Sequence, residues 1–102
     1  MSEQVKLLIA YNIRGGSENA YRRFILEEFF PKAQALGLAP NDAWHTAYGK
    51  YPLRLIGFVA DDLATLRAAR TSDEWRQMIK QLETFTLNLS QRVVPFRGGF
   101  QW

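Results

Sequence analysis

The pattern of apolar and polar residues predicts four β-strands, of which residues 5 to 14 form the clearest. In this stretch every odd-numbered position is apolar, whereas the even-numbered positions are polar at both ends and apolar in the middle. A strand that is apolar on one face and partly apolar on the other is typical of the centre of a sheet. Further strands are predicted at residues 39 to 48, which include a Pro40-Asn41-Asp42 turn, at residues 53 to 60 and at residues 91 to 97.

A helix is predicted between the first two strands, from Ser17 to about Leu36. The pair Gly15-Gly16 ends the first strand, Ser17 is a favourable N-cap, and Gly37 is a natural C-cap. Pro31 falls inside this helix, where it removes a backbone hydrogen bond. The sequence therefore predicts a kink or a split near Pro31.

A second helical region separates the third and fourth strands. Asp61-Asp62 begins a short helix, and Thr71 with Glu74 matches a capping box that starts the next helix. Apolar residues at helical spacing extend that helix to residue 89. These residues are Trp75, Met78, Ile79, Leu82, Phe85 and Leu89.

The predicted order is β-α-β-β-α-β in a single α+β domain spanning residues 1 to 102. This is the order of the ferredoxin-like fold, and right-handed crossovers give an antiparallel sheet in the strand order 4-1-3-2. The two most apolar strands then lie in the centre, and the strand that contains Pro95 lies on an edge, where proline is tolerated. Both helices cover one face of the sheet. Because the other face is also partly apolar, we expect a second copy of the chain to cover it, with the tail from Phe100 to Trp102 lying across the partner.

Composition narrows the classes of function. The 102 residues include no cysteine, which excludes disulfides and thiolate chemistry. The net charge of +3 arises from 13 basic and 10 acidic residues spread along the chain, a distribution typical of a solvated surface and not of a nucleic-acid-binding stripe. We expect no signal peptide, no membrane partner and a cytoplasmic location. Without a phosphate-binding loop or a group of metal ligands, no cofactor and no metal are expected.

Three stretches resemble the dimeric α+β barrel superfamily. They are the Arg14-Gly15-Gly16 turn into a helix, Ser72-Asp73-Glu74-Trp75 at the start of the last helix, and Val93-Val94-Pro95-Phe96-Arg97 closing the sheet. The superfamily includes antibiotic-biosynthesis-type monooxygenases, haem-degrading monooxygenases, muconolactone isomerases, and EthD-like and NIPSNAP-like proteins. The resemblance implies a homodimer with a small, mostly apolar pocket between the helices and the sheet. The haem-degrading members use an Asn, a Trp and a His together, and Asn12 and Trp75 occupy similar elements here. Those members carry the His on a helix, whereas His45 lies on the second strand, and this departure counts against haem degradation.

Polar residues at the end of the first strand are the first candidates for chemistry. Asn12 is suited to holding a developing oxyanion, or alternatively makes a strand-end hydrogen bond. Tyr11 is either a core residue with a satisfied hydroxyl or a hydrogen-bond donor into a cavity. Arg14 and Arg97 are expected to meet because the first and fourth strands are neighbours, and together they would bind an anionic ligand or form salt bridges.

The second strand and the last helix supply the other candidates. His45 is the only histidine, and it is suited to act as a general base near neutral pH or, alternatively, to form a hydrogen bond on an edge strand. Its neighbour Trp44 is a candidate ligand contact. Trp75 is either a ligand contact or a core anchor at the start of the apolar stripe.

Two functions remain open at the level of sequence. The first is a cofactor-independent monooxygenase acting on a small aromatic or polyketide-like substrate. There His45 or Tyr11 helps to ionise the substrate, Asn12 holds the oxyanion, and the substrate anion reacts with dioxygen. The second is a module that binds a small apolar ligand, or only supports structure, without catalysis. Mutation of His45 or Asn12 separates the two, because only an enzyme loses turnover while it stays folded.

Overall fold

The computed structural model describes residues 4–46 and 53–95, with residues 42–46 and 53 described at the backbone only. The predicted loop at residues 49–52 and the tail from Phe96 to Trp102 lie outside these ranges. The elements are β1 (Val5–Ile13), α1 (Glu18–Phe24), a π-helical segment (Ile25–Phe29), α2 (Phe30–Ala35), β2 (Ala39–Thr46), β3 (Leu53–Ala60), α3 (Leu63–Thr71), α4 (Asp73–Glu83) and β4 (Thr86–Pro95).

The four strands form one antiparallel sheet in the order β2-β3-β1-β4, which confirms the predicted order and the ferredoxin-like architecture. β1 and β3 are central, and Pro95 pairs with Val5 from the edge strand β4. One expectation for β2 was wrong, because Pro40-Asn41-Asp42 is part of the strand and not a turn. The pairing register shifts between Pro40 and Asp42, opposite Phe58 and Gly57, so the chain accommodates the extra residue as a β-bulge.

The first helix is divided as its sequence predicted, by a π-helical segment immediately before Pro31. The backbone N–H of Phe30 donates to the carbonyl of Ile25, five residues earlier. Pro31 has no N–H, and in a regular α-helix its ring would clash with the carbonyl of Glu27, so the wider π turn relieves that contact. Pro31 then lies in the first turn of α2, where the missing donor costs little.

The start of α4 and the boundary between α4 and β4 both differ from expectation. Ser72 caps α4 instead of Thr71, because the Ser72 hydroxyl accepts from the backbone N–H of Trp75 at 3.2 Å. α4 ends at Glu83 and β4 begins at Thr86, so the predicted helix up to residue 89 was wrong. The run from Thr84 to Thr86 is β-branched and aromatic. The backbone N–H groups of Thr84 and Phe85 still donate to carbonyls of α4, and pairing with β1 begins at Thr86. The apolar spacing survives in part because Phe85 and Leu89 still pack against the core from the turn and the strand.

The core lies between the helices and one face of the sheet. Trp75 of α4 packs against Phe29 and Phe58, with ring centroids 5.4 and 6.3 Å away. The predicted inward face of β1 is buried, since Leu7, Ile9 and Tyr11 have no exposed surface. The helical side of the sheet is therefore filled by aromatic packing at its centre, and space for a ligand has to be sought toward the edges.

Candidate functional site

A pair of tyrosines occupies the region at the end of β1, where the polar groups of a pocket were expected. The hydroxyl of Tyr11 on β1 hydrogen-bonds to the hydroxyl of Tyr21 on α1, and the two rings meet edge to face with centroids 5.7 Å apart. Tyr11 is fully buried and Tyr21 is nearly so. This geometry matches the first sequence interpretation of Tyr11, a core residue with a satisfied hydroxyl, and its role as a donor into a cavity stays a prediction.

Burial raises the pKa of both tyrosines. For Tyr11 the loss of hydration is the largest cause, and the adjacent Tyr21 raises the pKa further, while the Arg54 guanidinium opposes it. For Tyr21 burial again dominates, opposed by the hydrogen bond from Tyr11 and by Arg54. Both phenols thus keep their protons at neutral pH, so this pair is suited to donating hydrogen bonds and not to removing a proton.

Arg54 of β3 brings a positive charge to the tyrosine pair. Its Cζ lies 5.9 Å from the centroid of the Tyr21 ring, within the range of a cation–π contact, and its buried Nε donates to no acceptor in the described residues. The β-ladders place Tyr11 opposite Arg54 and Arg54 opposite His45, in one row across three strands. The side chain of His45 lies outside the described part of the chain, and so its role as a base stays a prediction.

Asn12 lies on the opposite face of the sheet from Tyr11, because successive side chains of a strand alternate. Its Oδ1 accepts a hydrogen bond from Nδ2 of Asn88 at 3.3 Å. Asn88 has a φ of +58° and lies in a bulge of β4, where the register with β1 shifts between Ala10 and Asn12. Asn12 therefore makes the strand-end hydrogen bond that was one of its two predicted roles, and its service to an oxyanion stays a prediction.

The remaining predicted ligand contacts are described only in part. The backbone N–H of Arg14 donates to the carbonyl of Phe85, immediately before β4. The predicted meeting of Arg14 with Arg97 stays a prediction, because the description of β4 ends at Pro95, which pairs with Val5. Arg97 and the side chain of Trp44 lie outside the described residues, although the backbone of Trp44 pairs with Leu55.

A groove of about 900 Å³ lies between α3, α4 and the edge strand β4, and we call it the α3–α4 groove. Its volume is within the range of small-molecule sites. Trp75, predicted as a ligand contact or core anchor, lines this groove while it also packs in the core. The other large apolar residues of the lining are Leu63, Leu66, Ile79 and Val93.

The polar lining of the α3–α4 groove is mainly cationic. Arg67 and Arg70 project from one face of α3 at i,i+3 spacing, and Arg76 and Lys80 from α4 at i,i+4 spacing. Glu83 is the one carboxylate of the lining. Arg76 forms an exposed ion pair with Asp73 at 3.6 Å, whereas the described residues provide no ion-pair partner for the other three cations.

Gln91 adds an unsatisfied acceptor to the same groove. It lines the groove from β4, and its Oε1 is buried without a hydrogen-bond donor among the described residues. A buried polar atom without a partner costs about 1–3 kcal/mol, and such atoms are rare in folded proteins. Gln91, Arg54 and the four cations were not among the site residues predicted from the sequence. The i,i+3 and i,i+4 spacing of the cations was visible in the sequence, but it indicates a site only once α3 and α4 are known to face each other.

The described residues also limit other kinds of site. No group of three or more His, Asp or Glu residues that could hold a metal ion occurs among them. No helix in the same residues is both long enough and apolar enough to cross a membrane.

Comparisons with solved structures identify the fold. A NIPSNAP family protein from Agrobacterium tumefaciens superposes with a TM-score of 0.71 at 17% identity, over 96% of this chain and 90% of that one. A NIPSNAP domain protein from Burkholderia xenovorans gives 0.70 at 11% identity, over 95% and 98% of the two chains. A variant of SnoaB, a cofactor-independent oxygenase from Streptomyces nogalater, gives 0.67 at 12% identity, over 96% and 97%. The chain therefore has the ferredoxin-like fold of these NIPSNAP and oxygenase structures, as its sequence predicted.

Sequence comparison adds no closer relative. No protein-family model matches the chain, and no curated protein matches it. At identities this low the structural likeness establishes the fold alone, and the chemistry has to be argued from the residues of this chain.

Proposed function

We propose that the protein binds a small aromatic molecule in the α3–α4 groove and, as a separate and finer step, that it oxygenates such a molecule without a bound cofactor at the row of Tyr11, Arg54 and His45. The observation that carries the proposal is the groove itself, where a volume of about 900 Å³ combines the Trp75 indole with the unsatisfied oxygen of Gln91. Ligand sites are typically apolar hollows with a few polar groups that fix orientation. The fold shared with the oxygenase SnoaB supports the class of reaction.

The reaction requires no external reductant. A methylene group flanked by aromatic rings loses a proton, and the resulting carbanion reacts with dioxygen. One oxygen atom becomes the new carbonyl oxygen, and the other leaves as water with the two hydrogens of the methylene, so the substrate supplies all the electrons. The protein has to supply a base for the first proton and a dry site that stabilises the anion.

Within this proposal His45 is the base, and Tyr11 and Asn12 assist the anion. This site is distinct from the α3–α4 groove, because β2 and β4 are opposite edges of the sheet, and Asn12, which lies on the other face, is assigned from the sequence alone. The raised pKa of Tyr11 favours a donor role for that residue and leaves proton removal to His45. Arg54, in register with both Tyr11 and His45, would stabilise negative charge beside them. These assignments rest on the sequence and on the strand register.

A second candidate, binding without catalysis, is favoured by one observation. Tyr11 and Asn12 are each engaged in internal hydrogen bonds, to Tyr21 and to Asn88, and neither residue lines the α3–α4 groove. In this case the groove is a ligand site and the tyrosine pair is structural.

Oxygen uptake with 1,8-dihydroxyanthrone, a methylene compound of the required type, decides between the two. We expect uptake with the native chain, and little or none with His45→Ala or Asn12→Ala at unchanged thermal stability. Arg22→Gln, which alters an exposed side chain of α1, is the matched control. Binding without uptake would replace the oxygenase by the binding module. If the compound neither binds nor supports oxygen uptake, both candidates are contradicted.

We also propose that the active form is a homodimer joined through the sheet face that lies away from the helices. Leu8, Ala10, Leu55 and Val59 alternate with buried core residues and are only half-buried on that face. The same face of a second copy would cover them, as the dimeric fold class suggests. Light scattering coupled to size exclusion at low micromolar concentration should give twice the mass of one chain, and a monomer would contradict the proposal.

A further inference from the structure

The chemistry around the α3–α4 groove restricts the molecules that fit it. We infer that the ligand is an aromatic acid that also carries a hydroxyl group remote from its carboxylate. This inference rests on the proposed use of the groove as a ligand site. It adds the two polar features by which the site would select its ligand.

The requirement for an anion follows from the charges of the lining. Four cations and one carboxylate surround the groove, whereas the whole chain carries 13 basic and 10 acidic residues. The groove therefore concentrates a surplus of positive charge that the rest of the surface lacks. Arg67 and Arg70 lie one helical turn apart on α3 without a described carboxylate partner, and a guanidinium binds a carboxylate through two parallel hydrogen bonds.

The requirement for a hydroxyl follows from Gln91. The buried Oε1 accepts nothing in the described residues, so a ligand that turns the Gln91 side chain toward the groove and donates a hydrogen bond to it would remove an existing penalty. A carboxylate cannot donate, and so the group that meets Gln91 differs from the group that meets the arginines. The ligand therefore needs its donor and its charge at separate positions.

The middle of the ligand is aromatic or otherwise flat and apolar. Leu63 of α3, Ile79 of α4 and Val93 of β4 present apolar surface to the groove, and the buried Leu66 and Trp75 lie beneath them. Burial of an apolar ring between them supplies affinity, while the charged rim and the glutamine fix its direction.

Three naphthalenes of nearly equal size test the inference. The probe 6-hydroxy-2-naphthoate has both polar groups, 2-naphthoate lacks the hydroxyl, and 2-naphthol lacks the carboxylate. Calorimetric titration should rank their affinities in that order. Amide chemical-shift changes should fall on α3, α4 and β4. The affinity of the two acids, but not that of 2-naphthol, should fall as salt is raised.

Two variants separate the two polar requirements. Arg70→Gln should weaken both acids roughly tenfold, the usual effect of losing a hydrogen bond to a charged group, and leave 2-naphthol unchanged. Gln91→Leu should weaken 6-hydroxy-2-naphthoate roughly fivefold and leave 2-naphthoate unchanged. Arg22→Gln is the control for the loss of one positive charge, and thermal melts of each variant check that it is folded.

The outcomes distinguish this inference from the proposed function. If 2-naphthol binds as tightly as the acids and neither variant changes the ranking, the groove takes neutral aromatics and only the inference is overturned. If none of the three probes binds, or if the shift changes fall on the sheet face around Asn12, the groove is not the ligand site and the proposed function fails with it.

Discussion

The hydroxyl pair of Tyr11 and Tyr21 offers the sharpest test of how this fold treats buried polar groups. Each hydroxyl is the other's partner, in the core between β1 and α1. Tyr21→Phe leaves the fully buried Tyr11 hydroxyl without a partner, and Tyr11→Phe does the same to the nearly buried Tyr21. The double change to phenylalanine removes both polar groups and keeps the two rings.

The expected change in the free energy of unfolding depends on whether one hydroxyl of the pair is removed or both are. A buried hydroxyl without a partner costs about 1–3 kcal/mol, whereas replacing both members of a pair with apolar groups of the same shape is nearly neutral. We expect each single variant to lower the free energy of unfolding by about 1–2 kcal/mol. Tyr21→Phe should be the more damaging, because it orphans the more deeply buried hydroxyl. The double variant should lose less than the sum, with a coupling of about 1 kcal/mol or more.

Urea unfolding of the four proteins, followed by far-UV circular dichroism, measures the cycle. The m-values should agree, so that the midpoints report stability alone. Strict additivity of the two single changes would refute the argument that each hydroxyl satisfies the other. The same variants test function, because full oxygen uptake by the double variant would exclude Tyr11 from the proposed reaction.

Three further predictions concern the same fold. The free energy of unfolding should fall above pH 10, the usual pKa of tyrosine. The reason is that the pKa values of Tyr11 and Tyr21 are raised, so the folded state holds their protons more tightly than the unfolded state does. The double phenylalanine variant should lose less stability over the same pH range in the urea assay. Gly37→Ala should cost about 1–2 kcal/mol for its φ of +91°, and more because the new Cβ would lie 2.9 Å from Cγ2 of Thr65. Gly16→Ala, at a φ of +84° with no atom within 4 Å, should show the backbone cost alone, so equal losses would disprove the contact. Asn88→Ala should destabilise the chain more than Asn88→Gly, because only glycine accepts the φ of +58° freely.

The order of the strands could be predicted from the sequence because several independent signals agreed. The alternation in residues 5 to 14, the apolar third strand and the position of Pro95 each pointed to the same sheet. Pro31 likewise predicted that the first helix is divided, but it did not predict that the division is a π-helical segment. A π turn is one of several ways to avoid the clash of a proline ring, and the sequence does not choose between them.

The boundaries failed where tertiary pairing overrode local spacing. Phe85 and Leu89 continue the apolar stripe of α4, yet the chain leaves the helix at Glu83 because β1 offers pairing partners from Ile13 onward. The α3–α4 groove was invisible for a related reason. Its lining combines residues from two helices and an edge strand. These residues converge only because α4 ends at Glu83 and β4 begins at Thr86, whereas the sequence predicted a helix up to residue 89.

Local rules of the fold are broken at three positions. Arg54 places a guanidinium in an otherwise apolar central strand, Gln91 buries an oxygen without a donor, and Asn88 adopts a left-handed backbone in an edge strand. Asn88 is compensated within the chain, because its side chain holds Asn12. Arg54 is compensated in part by the tyrosine ring above it. Gln91 has no such compensation in the described residues, and it is the one of the three that lines a groove large enough for a ligand. An uncompensated buried oxygen is retained at a cost to stability, so the needs of binding and of folding should be most clearly opposed at Gln91. Gln91→Leu should therefore raise the free energy of unfolding of the free protein and lower its affinity for the ligand.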